Sequence, residues 1–273
     1  MLDEKGRQDG SGLRKGAEMK TGLCIVCATA VIVAVGLCRK PAAVLAREEI
    51  LVGVPQADAN IEKAALTENL YPAELISALQ RNHELLDFVE GYLTIEARAY
   101  GGITQAESRE QCPLFLQWDA RWGYAPYGEI NIGLSGCGPT CLSMVLYSLT
   151  RDESLTPDML AQRALDEGYY VEGVGTSWAF LKDIAPQYGV MVTEEQLYDE
   201  EAMKLYLGDG KLVICAMGPG DFTDTGHFIV VRGYADGKLL INDPFSRKNS
   251  TRAWEPEVIR SQCSRVWTYE AVR

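Results

Sequence analysis

The chain has 273 residues, of which 47% are hydrophobic and 23% charged, with 26 Lys and Arg against 38 Asp and Glu. This length and apolar content suffice for a sizeable buried core, and the composition excludes a wholly disordered chain and a membrane protein with many spans. The net charge of −12 argues against nucleic acid as a partner, because phosphate binding needs a basic surface.

The N-terminal part contains one long uncharged segment. Residues 1–21 are polar and include five Lys and Arg, and residues 22–38 then run without a charge. Such a run is near the lower limit for a helix that crosses the hydrocarbon core, and flanking basic side chains can reach the interface. We therefore predict a short cytoplasmic tail over 1–21 and a transmembrane signal anchor over 22–38, with the remainder outside the cell membrane.

A cleaved signal peptide is the alternative for this segment. Val44-Leu45-Ala46 has the small residues typical of a cleavage site, but it lies beyond the basic residues Arg39 and Lys40. Cleavage near Ala46 would release a secreted protein, whereas an uncleaved segment would keep the protein on the membrane.

Residues 39–110 are predicted to form a helical neck that ends in a linker. Pro72 suits the first turn of a helix, and the apolar residues after it recur at helical spacing. His83 lies on the polar side of this stretch, where we interpret it as a solvated or capping residue at a helix break. Residues 99–110 are mostly polar and contain a glycine pair, which is typical of a linker.

Residues 111–273 are predicted to form an α+β domain. Helical patterns come first and strand-like runs follow, with Asp236-Gly237 as the hairpin turn between two strands. The predicted helices lie near 138–149, 157–167, 177–188 and 200–207, and the predicted strands near 190–193, 212–217, 228–234 and 238–242. A residue on the first helix therefore meets a residue on a later strand only after the chain folds.

Cys137 has the surroundings that a cysteine nucleophile needs. It lies between Gly136 and Gly138 at the start of a predicted helix, where Pro139 is tolerated because first-turn amides lack partners within the helix. The positive end of the helix dipole favours a thiolate, and the glycines let a substrate backbone approach closely. The alternative is a structural cysteine at a tight turn. Cys141, one turn deeper, is expected to be buried or disulfide-bonded.

The chain has only two histidines, and one of them can serve this cysteine. His83 belongs to the neck, whereas His227 begins an apolar strand of the predicted domain. A lone strand histidine is usually a core residue, but its presence beside Cys137 in one domain favours a catalytic pair. Asp243, on the next strand, is the predicted group that orients the imidazole. Asn242 is the alternative, since neighbouring strand residues point to opposite faces.

An oxyanion hole needs hydrogen-bond donors besides the backbone amide of the nucleophile. Gln117, in the segment that enters the predicted domain, carries an uncharged amide with two N–H groups and is our candidate for such a donor. An ordinary surface glutamine is the alternative interpretation.

These residues resemble the motifs of papain-like cysteine peptidase family 39, whose founding members remove double-glycine leaders from bacteriocins. The similarity is greater to the free-standing bacterial branch of that family. Its members carry a Gln segment, a Cys-Gly-Pro motif, a Gly-His strand and an Asp-Pro end, which correspond here to Gln117, Cys137-Gly138-Pro139, Gly226-His227 and Asp243-Pro244. The similarity extends over about residues 111–270. One difference is that the leader-processing peptidases place the Gln only a few residues before the Cys, whereas 20 positions separate Gln117 from Cys137.

The resemblance implies a papain-like fold, with a helical half and an antiparallel sheet, and hydrolysis through a Cys-His-Asp triad and an acyl-enzyme. We therefore expect a membrane-anchored, extracytoplasmic cysteine peptidase that acts on a peptide or protein substrate. A catalytically silent surface binding module of the same fold is one alternative. A cell-wall peptide endopeptidase is another, although such enzymes often use a second histidine, which this domain lacks.

Five cysteines lie beyond the predicted anchor, an odd number that fits one free nucleophile. The pairing of the other four stays open: Cys112, Cys141, Cys215 and Cys263. Cys112 and Cys263 flank the domain and are candidates for a bridge, whereas Cys215 lies inside an apolar strand and is expected in the core. With two histidines in the chain, we expect no imidazole-based metal site and no cofactor.

Overall fold

The computed structural model describes residues 71–195 and 200–272. The predicted cytoplasmic tail, the signal anchor and the first part of the neck lie outside the described residues. Within the two described ranges, no helix is both long enough and apolar enough to cross a membrane.

The helices lie mainly in the neck and in the first half of the domain. In the neck, α1 (Ala73–Arg81) and α2 (Leu86–Gly91) are joined by the 3₁₀ turn His83–Leu85. The later helices are α3 (Ile132–Ser135), α4 (Cys137–Thr150), α5 (Pro157–Asp166), α6 (Trp178–Asp183), α7 (Glu200–Gly208), α8 (Arg247–Thr251) and α9 (Pro256–Gln262). Further 3₁₀ turns span Glu107–Arg109 and Ala185–Tyr188.

The strands form two small hairpins and one antiparallel sheet. In chain order they are β1 (Pro126–Tyr127), β2 (Ile130–Asn131), β3 (Tyr170–Val171), β4 (Gly175–Thr176), β5 (Val190–Glu195), β6 (Leu212–Met217), β7 (His227–Ala235), β8 (Lys238–Asn242), β9 (Ala253–Trp254) and β10 (Cys263–Ala271). β1 pairs with β2 and β3 with β4, while the large sheet has the order β5-β10-β6-β7-β8-β9.

The large sheet is covered on both faces around β6. Ile214 and Ala216 pack into a core shared with α4 and α5, whereas Val213 and Cys215 pack into a second core that includes residues of α7 and α9. Successive strand residues point to opposite faces, so a strand covered on both sides must be apolar throughout. This accounts for the unbroken apolar run Leu212–Met217.

The neck helices pack directly on the domain through a third apolar cluster. Leu75, Leu79 and Phe88 are buried there together with Tyr124 of the domain. The rings of Phe88 and Tyr124 stack with centroids 4.4 Å apart, and the Tyr124 hydroxyl donates a hydrogen bond to the Phe88 carbonyl oxygen at 3.0 Å. The apolar faces of α1 and α2 are buried against the domain, and this burial fixes the position of both helices.

The helices and strands predicted for the domain are confirmed, with one interruption. The helix predicted over 177–188 consists of α6 and the separate 3₁₀ turn Ala185–Tyr188, because Pro186 has no N–H with which to continue an α-helix. The predicted hairpin turn is present, with positive φ angles of 51° at Asp236 and 79° at Gly237, as its tight geometry requires. β10 was not among the predicted strands, and it lies between β5 and β6 in the sheet.

Candidate active site

Cys137 is the first residue of α4, with Gly136 in the N-cap position. The rest of this helix is buried up to Tyr147, whereas Cys137 is half-buried and lines an open cleft. The thiol therefore lies at the one end of α4 where backbone N–H groups have no partners within the helix. This position agrees with the environment predicted for a nucleophile.

Gly138 allows the N-terminus of α4 to approach the small hairpin of β3 and β4. A Cβ atom at this position would lie 2.7 Å from both Cβ and Oγ1 of Thr176. Thr176 itself is buried and shares a 2.7 Å hydrogen bond with the Tyr127 hydroxyl. The Cys-Gly-Pro motif thus requires glycine next to the nucleophile because any larger side chain meets this hairpin.

His227 is the first residue of β7, and its side chain is only 8% exposed. Its Nε2 atom lies 2.8 Å from Oδ1 of Asp243, which leaves Nδ1 as the ring nitrogen available to a second partner. The ring lines the same cleft as Cys137, and the thiol is one of the groups that raise the pKa of His227. The structure therefore brings the predicted cysteine, histidine and aspartate together at one cleft.

The environment of His227 favours the charged imidazolium. Burial alone lowers the pKa of this ring, but the charge of Asp243, the hydrogen bond to Asp243 and the interaction with Cys137 outweigh burial and raise the pKa to about 10. An imidazolium beside a thiol stabilises the thiolate, which is the form of cysteine that attacks carbonyl groups.

Asp243 is almost fully buried, at 1% exposure, and its carboxylate accepts several hydrogen bonds. Besides the contact with His227, Oδ1 accepts the backbone N–H of Phe245 at 2.9 Å, and Oδ2 accepts Nδ2 of Asn249 at 2.8 Å. Asn249 is a site residue that was not predicted from the sequence. It lies in a polar segment without a recognisable motif. Its side chain reaches the Asp243 carboxylate only because the chain folds back into α8 after Asp243.

Asn242, the alternative to Asp243, faces away from the histidine. Its Oδ1 atom accepts Nε of Arg232 at 2.9 Å, and its Nδ2 atom donates to the carbonyl oxygens of Cys112 and Pro113 at 3.2 and 3.0 Å. The opposite orientation follows from the alternation of side chains along an extended segment. The geometry thus supports Asp243 as the partner of His227.

Gln117 is buried beside the nucleophile, at 2% exposure, and lines the same cleft. Its backbone N–H donates to the carbonyl oxygen of Pro244, and its Nε2 atom donates to the carbonyl oxygen of Gly133 at 2.9 Å. A primary amide has two N–H hydrogens, and this contact uses one of them. The interpretation of Gln117 as a surface residue is therefore wrong, because the side chain is held inside.

The cleft around Cys137 and His227 has a volume of about 710 Å³. Two segments form much of its wall: the loop 220–226 that precedes β7, and residues 81–84 of the neck. Arg81 and Asp224 form a 3.7 Å ion pair between these two segments. His83, which lies at the helix break as predicted, is exposed on this wall.

The other cysteines of the described region carry free thiols, so no bridge joins Cys112 to Cys263. Cys141 is fully buried, where loss of solvation raises the pKa of its thiol, in line with the core position predicted for it. Interaction with the Cys263 thiol and burial raise the pKa of Cys215, whereas interaction with Cys215 lowers the pKa of Cys263. Among the described residues, no three His, Cys, Asp or Glu side chains come together as a metal ion would require.

Comparison with known proteins places the domain in a family. Residues 109–271 match the model of the Peptidase C39 like family, and no match is found among curated proteins. The peptidase domain of Streptococcus ComA, a bi-functional ABC transporter involved in a quorum sensing pathway, is a solved structure with a TM-score of 0.40 and 17% identity, covering 50% of this chain and 92% of that chain. A C39-like peptidase from Bacillus anthracis has a TM-score of 0.36 and 16% identity, covering 62% and 98%.

The family match is the stronger finding, because it spans more than half of the chain and ends with β10. The matched region also contains the four predicted site residues, which are Gln117, Cys137, His227 and Asp243. The chain belongs to the Peptidase C39 like family.

Proposed function

We propose that this protein is a cysteine peptidase that hydrolyses peptide bonds through Cys137, His227 and Asp243. The observation that carries the proposal is the position of the His227 ring, which pairs with the Asp243 carboxylate at 2.8 Å and lines the same cleft as the Cys137 thiol. Membership of the family supports the same class of reaction. The cleft beside the thiol offers room for a peptide segment.

The first half of the proposed reaction forms an acyl-enzyme. The thiolate of Cys137, stabilised by the imidazolium of His227, attacks the carbonyl carbon of the peptide bond. The carbonyl oxygen becomes an oxyanion, for which the backbone N–H of Cys137 and the second N–H of Gln117 are the proposed donors. His227 then gives its proton to the leaving amine, the C–N bond breaks, and a thioester remains on Cys137.

The second half releases the acyl group. His227, now neutral, accepts a proton from a water molecule as the water oxygen attacks the thioester carbonyl. The C–S bond breaks, the carboxylic acid product leaves, and the thiolate and imidazolium are restored. Asp243 stays ionised throughout, orienting the ring and stabilising its positive charge.

Peptide-library profiling of the wild type and Cys137→Ala tests activity and substrate together. We expect hydrolysis by the wild type and none by Cys137→Ala. Cys263→Ala is the matched control, since it removes another partly exposed thiol and should keep the activity. If folded wild-type protein binds library peptides without hydrolysing any, the silent binding module replaces the peptidase as the explanation.

A thiol-directed probe at neutral pH gives a readout that needs no substrate. Cys137 should be labelled first, and His227→Ala should suppress this labelling because the variant lacks the imidazolium that stabilises the thiolate. Equal labelling of Cys137 and Cys141, or no labelling of the folded domain, would contradict the proposed mechanism.

We propose further that the peptidase is held on the cell membrane and acts outside it. The support is the uncharged segment 22–38 and the basic residues that precede it. Protease treatment of intact cells tests the location. We expect residues 111–273 to be cleaved in intact cells, and protection until the cells are lysed would overturn this assignment.

A further inference from the structure

The neck contributes a carboxylate to the segment that follows Asp243. Glu84 lies in the 3₁₀ turn between α1 and α2, outside the region that matches the family model. Its side chain accepts hydrogen bonds from the Ser246 hydroxyl at 2.9 Å and from the backbone N–H groups of Arg247 and Lys248, each at 3.1 Å. Glu84 therefore satisfies the free N–H groups at the start of α8 from a distant part of the sequence.

Ser246 links this contact to the rest of α8. The Ser246 hydroxyl donates its one hydrogen to Glu84. The same oxygen accepts a hydrogen bond from the backbone N–H of Asn249 at 3.1 Å. A carboxylate near the start of a helix is also favoured by the helix dipole. The position of Glu84 therefore orients the cap of α8 as well as its backbone.

A second neck residue holds the turn before α8. Asn82 donates from Nδ2 to the carbonyl oxygen of Phe245 at 2.6 Å, and Trp118 donates from Nε1 to the same oxygen at 2.8 Å. The Oδ1 atom of Asn82 accepts the backbone N–H of Glu84 at 3.1 Å, which fixes the two neck residues relative to each other. The neck residue Asn82 therefore helps to hold the turn that leads from Asp243 into α8.

α8 in turn holds the carboxylate of Asp243. Asn249 donates to Oδ2 of Asp243, and the Ser250 hydroxyl accepts the backbone N–H of Asp243 at 2.9 Å. A continuous chain of hydrogen bonds therefore runs from Glu84 through α8 to Asp243 and on to the ring of His227. A shift of α8 would move the donors that keep the carboxylate facing the histidine.

We propose that Glu84 is a positioning residue for the triad, so that the functional peptidase unit includes the neck and does not begin at residue 109. The Glu84 side chain accepts hydrogen bonds from Ser246, Arg247 and Lys248, so it acts on Asp243 through α8. The proposal rests on the proposed peptidase function, because it assigns a role within that same reaction.

Glu84→Ala in the full chain tests this role, with kcat and KM measured separately across pH. We expect kcat to fall about tenfold with KM nearly unchanged, because a small misplacement of a catalytic group slows the chemical step. The fall in kcat at high pH should also begin at a lower pH, since a less well-placed Asp243 raises the pKa of His227 less. Glu84→Gln keeps one acceptor oxygen and should recover part of the lost rate.

Glu90→Ala is the matched control, since it removes an exposed carboxylate from the same neck and should leave kcat and the pH profile unchanged. A purely structural role for Glu84 would lower the unfolding temperature of Glu84→Ala but leave the kcat and pH profile of the folded protein at wild-type values. That result would overturn the proposal. If Glu84→Ala does not fold, wild-type kinetics in Glu84→Gln would overturn it equally.

Alkylation of Cys137 separates this proposal from the proposed function. If the wild type hydrolyses no peptide, the peptidase assignment fails, but the rate at which Cys137 reacts with iodoacetamide still reports on the Asp243–His227 pair. A slower reaction in Glu84→Ala supports positioning by the neck. If the wild type hydrolyses peptides and Cys137 is alkylated at the same rate in Glu84→Ala as in the wild type, the proposed role of Glu84 fails while the peptidase function stands. Combining Glu84→Ala with Asn249→Ala should slow the reaction little more than either change does, because both act through one chain of contacts.

Discussion

Oδ1 of Asp243 lies 2.8 Å from Nε2 of His227, in a position where the carboxylate is almost fully buried. The contact does two things at once: it fixes the orientation of the ring in the cleft that Cys137 also lines, and it favours the charged form of the ring. Because the pKa of His227 is about 10, the imidazolium is retained at neutral pH and is lost only as the pH rises through that value.

Asp243→Asn should lower kcat/KM by about 10²- to 10⁴-fold, because the amide neither stabilises the imidazolium nor holds the ring as firmly. The activity of the wild type should fall as the pH rises through about 10, and in the variant this fall should begin at a lower pH. The measurement is kcat/KM against pH. Asp236→Asn, the same substitution at the exposed end of the hairpin, should leave the profile unchanged.

The contact between His227 and Asp243 also makes the free energy of unfolding depend on pH. The pKa of His227 is raised on folding, so its stabilising contribution is complete below the ordinary histidine value near 6.5 and is lost as the pH rises through about 10. The free energy of unfolding of the wild type, compared with that of His227→Gln, should therefore show a difference that shrinks over this range. A difference that grows with pH would contradict the charge assigned to the ring.

Gln117→Ala should lower kcat about 100-fold with a small effect on KM, because an oxyanion-hole donor acts mainly on the transition state. The reason lies in the position of the amide, which is buried in the cleft and has one N–H free of the contact with Gly133. Steady-state kinetics on one peptide substrate measure the effect. Gln105→Ala removes an exposed amide from the preceding linker and serves as the control. Equal kinetics in the two variants would remove Gln117 from the mechanism.

Gly138→Ala should destabilise the domain by about 1–3 kcal/mol, the usual cost of overpacking a tight contact. The added methyl group would meet the buried Thr176 at 2.7 Å, so either the hairpin or the start of α4 must move. Such a movement should also slow the alkylation of Cys137. Gly208→Ala is the comparison, since a Cβ there has nothing within 4 Å, and thermal unfolding should show little change.

Arg121→Ala should lower the free energy of unfolding by about 2–3 kcal/mol, because it leaves a largely buried Glu107 without its partner. The Arg121 guanidinium pairs with Glu107 at 2.7 Å and with Asp119 at 2.8 Å, and its side chain is only 18% exposed. Although burial opposes the charge of Glu107, these contacts hold the pKa of its carboxyl below the usual range.

Urea unfolding measures this change, and an exposed ion pair supplies the control. Arg98 and Glu96 form such a pair, with side chains 64% and 71% exposed. Arg98→Ala should therefore cost less than about 1 kcal/mol. Similar losses in the two variants would show that the network around Arg121 does not anchor the preceding linker.

The features that could be predicted from the sequence are those that depend on neighbouring residues. Helical spacing located α4 and α5, and the Asp236-Gly237 pair located the turn between β7 and β8, because each pattern acts over a few residues. β10 escaped prediction because its pairing with β5 and β6 joins segments far apart in the chain.

Some residues of the candidate site could likewise be predicted from the sequence, whereas others needed the tertiary structure. Cys137 and His227 could be predicted from the sequence, because the domain has a single histidine and a single cysteine at the start of a predicted helix. The choice between Asp243 and Asn242 needed the structure, because adjacent residues face opposite sides and only the packing decides which side meets His227.

By itself, the sequence determined the family, the residue types of the site and the local helices and strands. The tertiary structure alone decided that Gln117 is buried beside the nucleophile, that Asn249 holds Asp243, and that Glu84 of the neck caps α8. These contacts join residues whose separation in sequence carries no pattern. They arise only when the apolar faces of the neck and of the sheet are buried together, which places polar side chains from distant segments around one cleft.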